Sequence, residues 1–294
     1  MSTWAMGTSD RVRRAFGGSA ASRRRTQLAG VVAALALLGA CGSGGQTPDD
    51  APTDVSTDQD TAIDDTGAPE DQVSGTVTLF AAASLEAAFT ELITDFEQHN
   101  PAISVTSPVY DGSSTLVTQL VEGADADVFA SAAEANMDDL VAAGLNDSEP
   151  VLFATNTLVI AVAPGNPLGI QDLSDLEGLD YAICAPDVPC GAATVTLFDL
   201  DGTPLDAITQ EQNVTAVAER VASGEVDAGL VYATDVATRT DEIEAVVPAR
   251  AADVVNRYPI TTLAGSDEAA SVFVEFVLSE EGQGVLEQYG FGSP

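Results

Sequence analysis

From Thr76 onward the chain switches again and again between two hydrophobic periods, and this alternation restricts it to one fold class. Thr76 to Ala82 reads as a strand, after which Leu85, Phe89, Leu92, Ile93 and Phe96 recur at helical spacing and predict a helix from about Leu85 to His99. Ile103 to Val109 reads as strand again. Leu116, Val117, Leu120 and Val121 mark a helix closed by Gly123, and Asp127 to Ser131 is a short strand. A further helix runs through Met137, Leu140 and Val141 to Gly144, and Leu158 to Ala163 predicts a strand inside a second sheet, ended by Pro164. The second half repeats the theme: strand at Tyr181 to Cys184, helix at Gly191 to Leu197, helix at Val214 to Ala222, strand at Ala228 to Tyr232. An extended segment then reaches Leu263, and two helices follow, Glu268 to Leu278 and Glu281 to Tyr289. Strand and helix in regular succession make an α/β protein, and no fixed-period repeat is present.

The residues before Thr76 follow other rules. An arginine-rich start precedes the apolar run Leu28 to Ala40, which is short for a bilayer span but suits the core of a signal peptide. The run ends in Leu38-Gly39-Ala40-Cys41, which resembles the lipobox of bacterial lipoproteins, so residues 1–40 are expected to be removed and Cys41 to carry the lipid. Residues 41–75 are Asp, Thr, Ser, Gly and Pro with almost no large apolar side chain, and are expected to form an acidic tether to the membrane. All ten basic residues are Arg, and six of them precede Cys41. From Cys41 on, 45 acidic residues face four arginines. A surface so negative repels nucleic acid and anionic headgroups, which excludes nucleic acid as a partner.

Catalytic signatures are absent: there is no Ser-His-Asp set, HExxH, Walker loop or GxGxxG. The only histidine, His99, ends a helix just before Asn100-Pro101 and reads as a solvated cap. Asp199-Leu200-Asp201-Gly202 lacks the later ligands of a calcium loop and reads as a surface turn. What the chain does have is four strand-to-helix turns rich in small and hydroxylated residues. They are Ala81-Ala82-Ala83-Ser84, Gly112-Ser113-Ser114-Thr115, Pro189-Cys190-Gly191-Ala192 and Asn213-Val214-Thr215. Each places unpaired N–H groups at a helix N-terminus, where the helix dipole also favours negative charge. Taken singly, each Ser reads as an N-cap. Taken together at the carboxyl ends of parallel strands, the four turns face one crevice and make an anion trap without a Lys or Arg.

Four blocks carry a resemblance. Thr76-Val77-Thr78-Leu79-Phe80-Ala81-Ala82-Ala83-Ser84-Leu85, Gly112-Ser113-Ser114-Thr115-Leu116, Ala124 to Ala132 and Gly229-Leu230-Val231-Tyr232 are similar, in that order, to the periplasmic molybdate-binding proteins of ABC importers. The resemblance runs from about Thr76 to Phe291. It implies a type II periplasmic-binding-protein fold, with 76–155 and 259–294 as lobe I, 156–258 as lobe II, and hinges near Asn156 and Tyr258. It also implies that the ion is held by the Ser84 and Ser113 side chains, the backbone at Cys190 and Val214, and the Tyr232 hydroxyl. The family usually has Ala where this chain has Cys190, a change that a backbone donor tolerates.

The implied role is an extracytoplasmic, lipid-anchored monomer that binds molybdate or tungstate for an ABC permease, with no cofactor and no catalysis. The chemistry of the turns suits that ligand: molybdate is a proton-free dianion, which a donor-only site satisfies completely. Phosphate keeps a proton that needs an acceptor, and leaving it unpaired costs about 1 to 3 kcal/mol. Asp111, near Ser113, is the one carboxylate placed to serve phosphate. Sulfate shares molybdate's charge and shape and differs in size. Outside the cell, Cys184 and Cys190, six positions apart, can close a small disulfide ring worth roughly 2 kcal/mol. Two free buried thiols, or a metal pair with no His partner, are the alternatives.

Overall fold

The computed structural model describes residues 72–294. The expected signal peptide, Cys41 and residues 42–71 of the expected tether lie outside the described residues. The first strand, β1 (Gly75–Ala82), begins at the last residue of that expected tether, and α1 (Glu86–His99) and β2 (Ile103–Asp111) follow. Then come α2 (Ser113–Val121), β3 (Val128–Ala130) and α3 (Glu134–Ala142). The long strand β4 (Val151–Val162) leads into β5 (Tyr181–Cys184), α4 (Pro189–Asp201), β6 (Thr209–Glu211), α5 (Val214–Ala222) and β7 (Ala228–Tyr232). The chain ends with α6 (Ala233–Ala237), β8 (Glu244–Val246), β9 (Val255–Thr262), α7 (Glu268–Leu278) and α8 (Glu280–Gln288).

The strands form one hydrogen-bonded path in the order β2-β1-β3-β9-β4-β7-β5-β6, with β8 pairing β4. Two arrangements of the same kind sit at its ends. In β2-β1-β3 and in β6-β5-β7, the first strand of each half lies between the second and the third, and all pairs are parallel. Parallel strands need helices as crossovers, which is why the helical periods recur between them. The strands β5 and β7 are buried at every residue, as their unbroken apolar sequences require. Between the halves run the antiparallel strands β4 and β9, paired through Asn156 and Asn256. The expected second sheet is therefore joined to the first through these two strands.

Each half has its own core. One comprises Val77, Leu79, Phe89, Phe96, Phe153, Tyr258, Phe273 and their neighbours, and the other is built on β4 from Leu158, on β5 and β7, and on α4 and α5. In the first, the Phe96 ring meets Phe273 edge-on at 5.1 Å and Phe89 meets Phe153 at 6.0 Å. Phe89, Phe96 and Phe273 have no exposed surface, and each contributes about 2 kcal/mol by burial. Helix α4 starts with Pro189 in its first turn and stops at Gly202, whose φ of 82° is the left-handed conformation of a helix end.

Several element bounds differ from expectation, each for a local reason. Helix α1 starts at Glu86 because Ala83–Leu85 form a 3-10 turn. Strand β4 starts at Val151 rather than Leu158: Thr155, Asn156 and Thr157 break the apolar run, yet they pair with β9. Strands β6 and β8 are three-residue pieces with exposed or half-exposed side chains, so they carry no hydrophobic signature. Among the described residues, no helix is long and apolar enough to cross a membrane.

Candidate functional site

Every strand that points at the boundary between the two cores delivers a loop there. The loops after β1, β2 and β3 come from one half, and those after β5, β6 and β7 from the other. They enclose a cavity of about 10 Å³ whose lining includes Ser84, Ser113, Cys190, Val214 and Tyr232, all five residues expected at the site. Ala82, Ala83 and Ala132 supply apolar wall, and Asp111 is the one charged side chain among the lining residues. A space so small holds about one water molecule, far too little for a sugar or a peptide.

The hydroxyl groups are oriented by their other partners. Ser113, 1% exposed, accepts a hydrogen bond at its Oγ from the Ala132 N–H at 3.0 Å, which leaves its own proton free to donate. Ser84 Oγ lies 3.0 Å from the Tyr258 hydroxyl, and Asn156 Nδ2 approaches that same hydroxyl at 3.5 Å. The Asn156 amide is fixed in direction, since its Oδ1 accepts from the Thr157 N–H and its Nδ2 donates to Thr234 Oγ1. Ser84 and Tyr258 share one hydrogen bond in which either hydroxyl can donate, and where Tyr258 donates the Ser84 proton is left for a ligand. Tyr232 is 1% exposed, and its hydroxyl, with Tyr258 and Asn256 as polar neighbours, makes no hydrogen bond of normal geometry. Burial pushes the Tyr232 phenol well above its usual pKa, so it is a neutral donor. An unpaired buried hydroxyl costs about 1 to 3 kcal/mol. Such a group at a cavity wall fits a ligand that accepts.

The second half offers backbone. At the start of α4, Pro189 lacks an N–H, so Cys190 carries the first free amide of the helix, and Val214 holds the same place in α5. Asn213 caps α5, its side chain accepting from the Ala216 N–H at 3.0 Å, whereas no side chain caps α2 or α4. Neither Ser84 nor Ser113 acts as an N-cap, contrary to the reading of each serine taken alone. Cys184 and Cys190 are joined as a disulfide, with their Cα atoms 5.7 Å apart. Gly191 beside them admits no side chain, because a Cβ there would lie 1.8 Å from the Ala185 carbonyl oxygen.

No cation enters the cavity. The four arginines of residues 72–294 each face a carboxylate elsewhere: Arg220 with Glu211 and Glu225, Arg239 with Glu242, Arg250 with Asp253, Arg257 with Glu134. Asp111 is not free to take a proton from a ligand through its Oδ1. That oxygen already accepts from the Gly112 N–H at 2.7 Å and from Asn213 Nδ2 at 2.9 Å. A wider groove of about 670 Å³ lies alongside, shares Ala83 and Ser84, and is lined by Glu86, Asp235 and Arg239, so its charges are mixed. Burial raises the Asp235 carboxyl to about 7 against the hydrogen bond it accepts from the Tyr232 N–H and the charge of Arg239, which lower it. His99 is exposed at the end of α1, with Nδ1 2.8 Å from the Asp95 carbonyl. Asp199, Leu200 and Asp201 are the last residues of α4 and not a surface turn as expected, Asp201 accepts from the Thr203 hydroxyl, and the described residues hold no metal-binding cluster of His, Cys, Asp and Glu.

Two halves with one strand arrangement, bringing hydroxyls and helix-start amides to a small shared cleft, suit a class, the solute-binding proteins that capture small molecules outside bacterial cells. A family model described as bacterial extracellular solute-binding protein matches residues 77–292. The molybdate-binding protein ModA of Mycobacterium tuberculosis is 39% identical over 269 residues, covering 90% of this chain and 97% of that protein. ModA of Escherichia coli is 27% identical, covering 74% and 89%. Among solved structures, the periplasmic molybdate-binding protein of Azotobacter vinelandii has the same fold, with a TM-score of 0.65 at 20% identity over 74% of this chain and 99% of that one. The chain belongs to the bacterial extracellular solute-binding proteins and, within them, to the molybdate-binding family of ABC importers, with the type II fold of that family. It is a binding protein, not an enzyme.

Proposed function

We propose that this protein captures molybdate, or tungstate, outside the cell and hands it to the permease of an ABC importer. The observation that carries the reading is the buried Tyr232 hydroxyl, left without a partner in a cavity whose other polar groups are hydroxyls, helix-start amides and the paired side chains of Asp111 and Asn213. Ser84, Ser113 and Tyr232 donate by their side chains, and Cys190 and Val214 by their N–H groups. Each can give a proton to an ion that has none to return. Asp111 Oδ1 is held by two donors, so phosphate would have to find its acceptor in Oδ2 of the same carboxylate.

In this reading, residues 76–155 with 259–294 form one lobe and 156–258 the other, joined at Asn156 and Tyr258. The same two residues link the crossing strands to Ser84, so reopening the lobes disturbs the donors directly. Dispersed neutral hydrogen bonds suit an ion that must be given up, since they dissolve together on opening. Residues 1–40 act as signal peptide, and a lipid on Cys41, with residues 41–75 as tether, keeps the monomer at the membrane.

Calorimetric titration with molybdate, tungstate, sulfate and phosphate tests the substrate. Molybdate and tungstate bind at one site per chain. Sulfate or phosphate binding tighter than either overturns the assignment and leaves the fold intact. Mass spectrometry of the membrane fraction tests the anchor, an unmodified Cys41 being the contrary result.

A further inference from the structure

The charged residue of the cavity wall has a second partner across the cleft. Asp111 ends β2 in the first half, and Asn213 precedes α5 in the second, yet Asp111 Oδ1 accepts from Asn213 Nδ2 at 2.9 Å. Both ends of the Asn213 amide are engaged, its Oδ1 accepting the Ala216 N–H at the start of α5. A second observation places the same two loops in contact. A Cβ on Gly112 would lie 2.4 Å from the Gln212 carbonyl oxygen and 3.3 Å from Val188 Cγ1, so backbone meets backbone where the side chains join.

The contact is built into the donor set. Two residues after Asp111 stands Ser113, and directly after Asn213 stands Val214. A carboxylate beside an anion pocket repels the anion, which by itself weakens capture. Its Oδ1 is instead covered by two N–H donors, one from each side of the cleft. We propose that Asp111 and Asn213 form a clasp across the cleft, positioning residues that hold Ser113 and Val214 together and so set how long the bound ion stays. The proposal rests on the molybdate reading for its ligand, while the clasp itself is a contact between the two halves.

A charge swap tests it. Asn213→Asp sets two carboxylates face to face while keeping an equally good cap for α5, and it should speed molybdate release at least about tenfold. The double variant Asp111→Asn with Asn213→Asp restores a carboxylate–amide pair in the opposite direction, and release returns to within about threefold of the wild-type rate. Asp111→Asn alone keeps a neutral hydrogen bond and has the smaller effect. Release as fast in the swap as in Asn213→Asp, or unchanged in Asn213→Asp, overturns the clasp. If molybdate fails to bind the wild-type protein, the functional reading falls alone. The melting temperatures of the same four proteins in anion-free buffer then decide the clasp: non-additive shifts with recovery in the swap support it, and additive ones overturn it.

Discussion

The two halves of the molecule share one strand arrangement but equip the cavity differently. The loops after β1 and β2 present side chains, Ser84 paired with the Tyr258 hydroxyl and Ser113 accepting from the Ala132 N–H, which leaves the Ser113 proton free. The loops after β5 and β6 present main chain, at Cys190 and Val214, through the first amides of α4 and α5. Only Tyr232, ending β7, adds a side-chain donor from the second half. A hydroxyl donor can be removed by one atom's change, whereas an amide donor persists under most substitutions and is lost only when the backbone moves. The first half should therefore be sensitive to chemistry and the second to geometry.

The most severe test of that division is Gly191→Ala. The added methyl would fall 1.8 Å from the Ala185 carbonyl oxygen and 2.7 Å from that of Cys184, and both are backbone atoms that cannot step aside. The start of α4 must shift, taking the Cys190 amide with it. Molybdate affinity should fall by more than about a hundredfold, since a misplaced donor leaves a buried charged acceptor unmatched. Circular dichroism reports whether the fold survives. Gly284→Ala is the control: nothing lies within 4 Å of its Cβ position in α8, and the change should stabilise the protein by about 0.5 to 1 kcal/mol. Unchanged affinity in Gly191→Ala would end the claim that geometry governs the second half.

Next in size come the serines. Ser113→Ala and Ser84→Ala should each weaken molybdate binding by about 1.5 to 3 kcal/mol, the range for hydrogen bonds to a charged group. Ser113→Ala carries a second penalty, because the Ala132 N–H loses its acceptor. Titration calorimetry ranks the two. If both retain full affinity, the ion sits elsewhere and the first half has no chemical role.

A buried carboxyl separates the halves in another way. Asp235 lies in α6 of the second half, 9% exposed, and holds the Tyr232 N–H at 2.9 Å. Burial raises its pKa from 3.8 to about 7. The folded state therefore binds this proton more tightly than the unfolded chain, so stability falls as pH rises from about 4 to about 7 and is level above. Asp235→Asn keeps the acceptor and removes the titration. Between pH 5 and pH 8 the wild-type melting temperature should drop by a few degrees more than that of the variant, on the order expected from about 1 to 2 kcal/mol. Parallel curves would show that the carboxyl ionises freely.

Legibility in the sequence follows the same line. Strands β5 and β7 and helices α1, α5 and α7 were readable because their apolar residues recur at a single period over most of their length. The hydroxyl and glycine turns were readable because a helix start after a strand is a local pattern. Unreadable were the contacts that direct the protons. Tyr258 reaches Ser84 across 174 positions and Ala132 reaches Ser113 across 19, and neither Tyr258 nor Ala132 carries a local sign of its partner. Asp111 was visible as a carboxylate near Ser113, but its engagement by Asn213, 102 positions away, depends on how the two halves meet. Strands β6 and β8 escaped because three half-exposed residues held by pairing alone show no hydrophobic pattern.

The smallest effect on binding is expected where the sequence looks most unusual, at the disulfide. Replacing both cysteines, Cys184→Ala with Cys190→Ala, removes a ring of six-residue separation, and the chain-entropy account gives a stability loss of roughly 2 kcal/mol. The donor at position 190 is an amide, however, and it is held by more than the ring. Pro189 fixes the first turn of α4, the Ala192 N–H bonds the Val188 carbonyl at 2.9 Å, and Thr194 Oγ1 donates to the Cys190 carbonyl at 2.7 Å. Affinity for molybdate should therefore stay within about threefold of wild type, because neither side chain is a donor and the helix keeps its own start. Thermal melting and titration of the double variant separate the two outcomes. A loss of affinity as large as that of Ser113→Ala would mean that the ring, not the helix, positions the amide, and the contrast between a chemical first half and a geometric second half would then rest on a covalent bond.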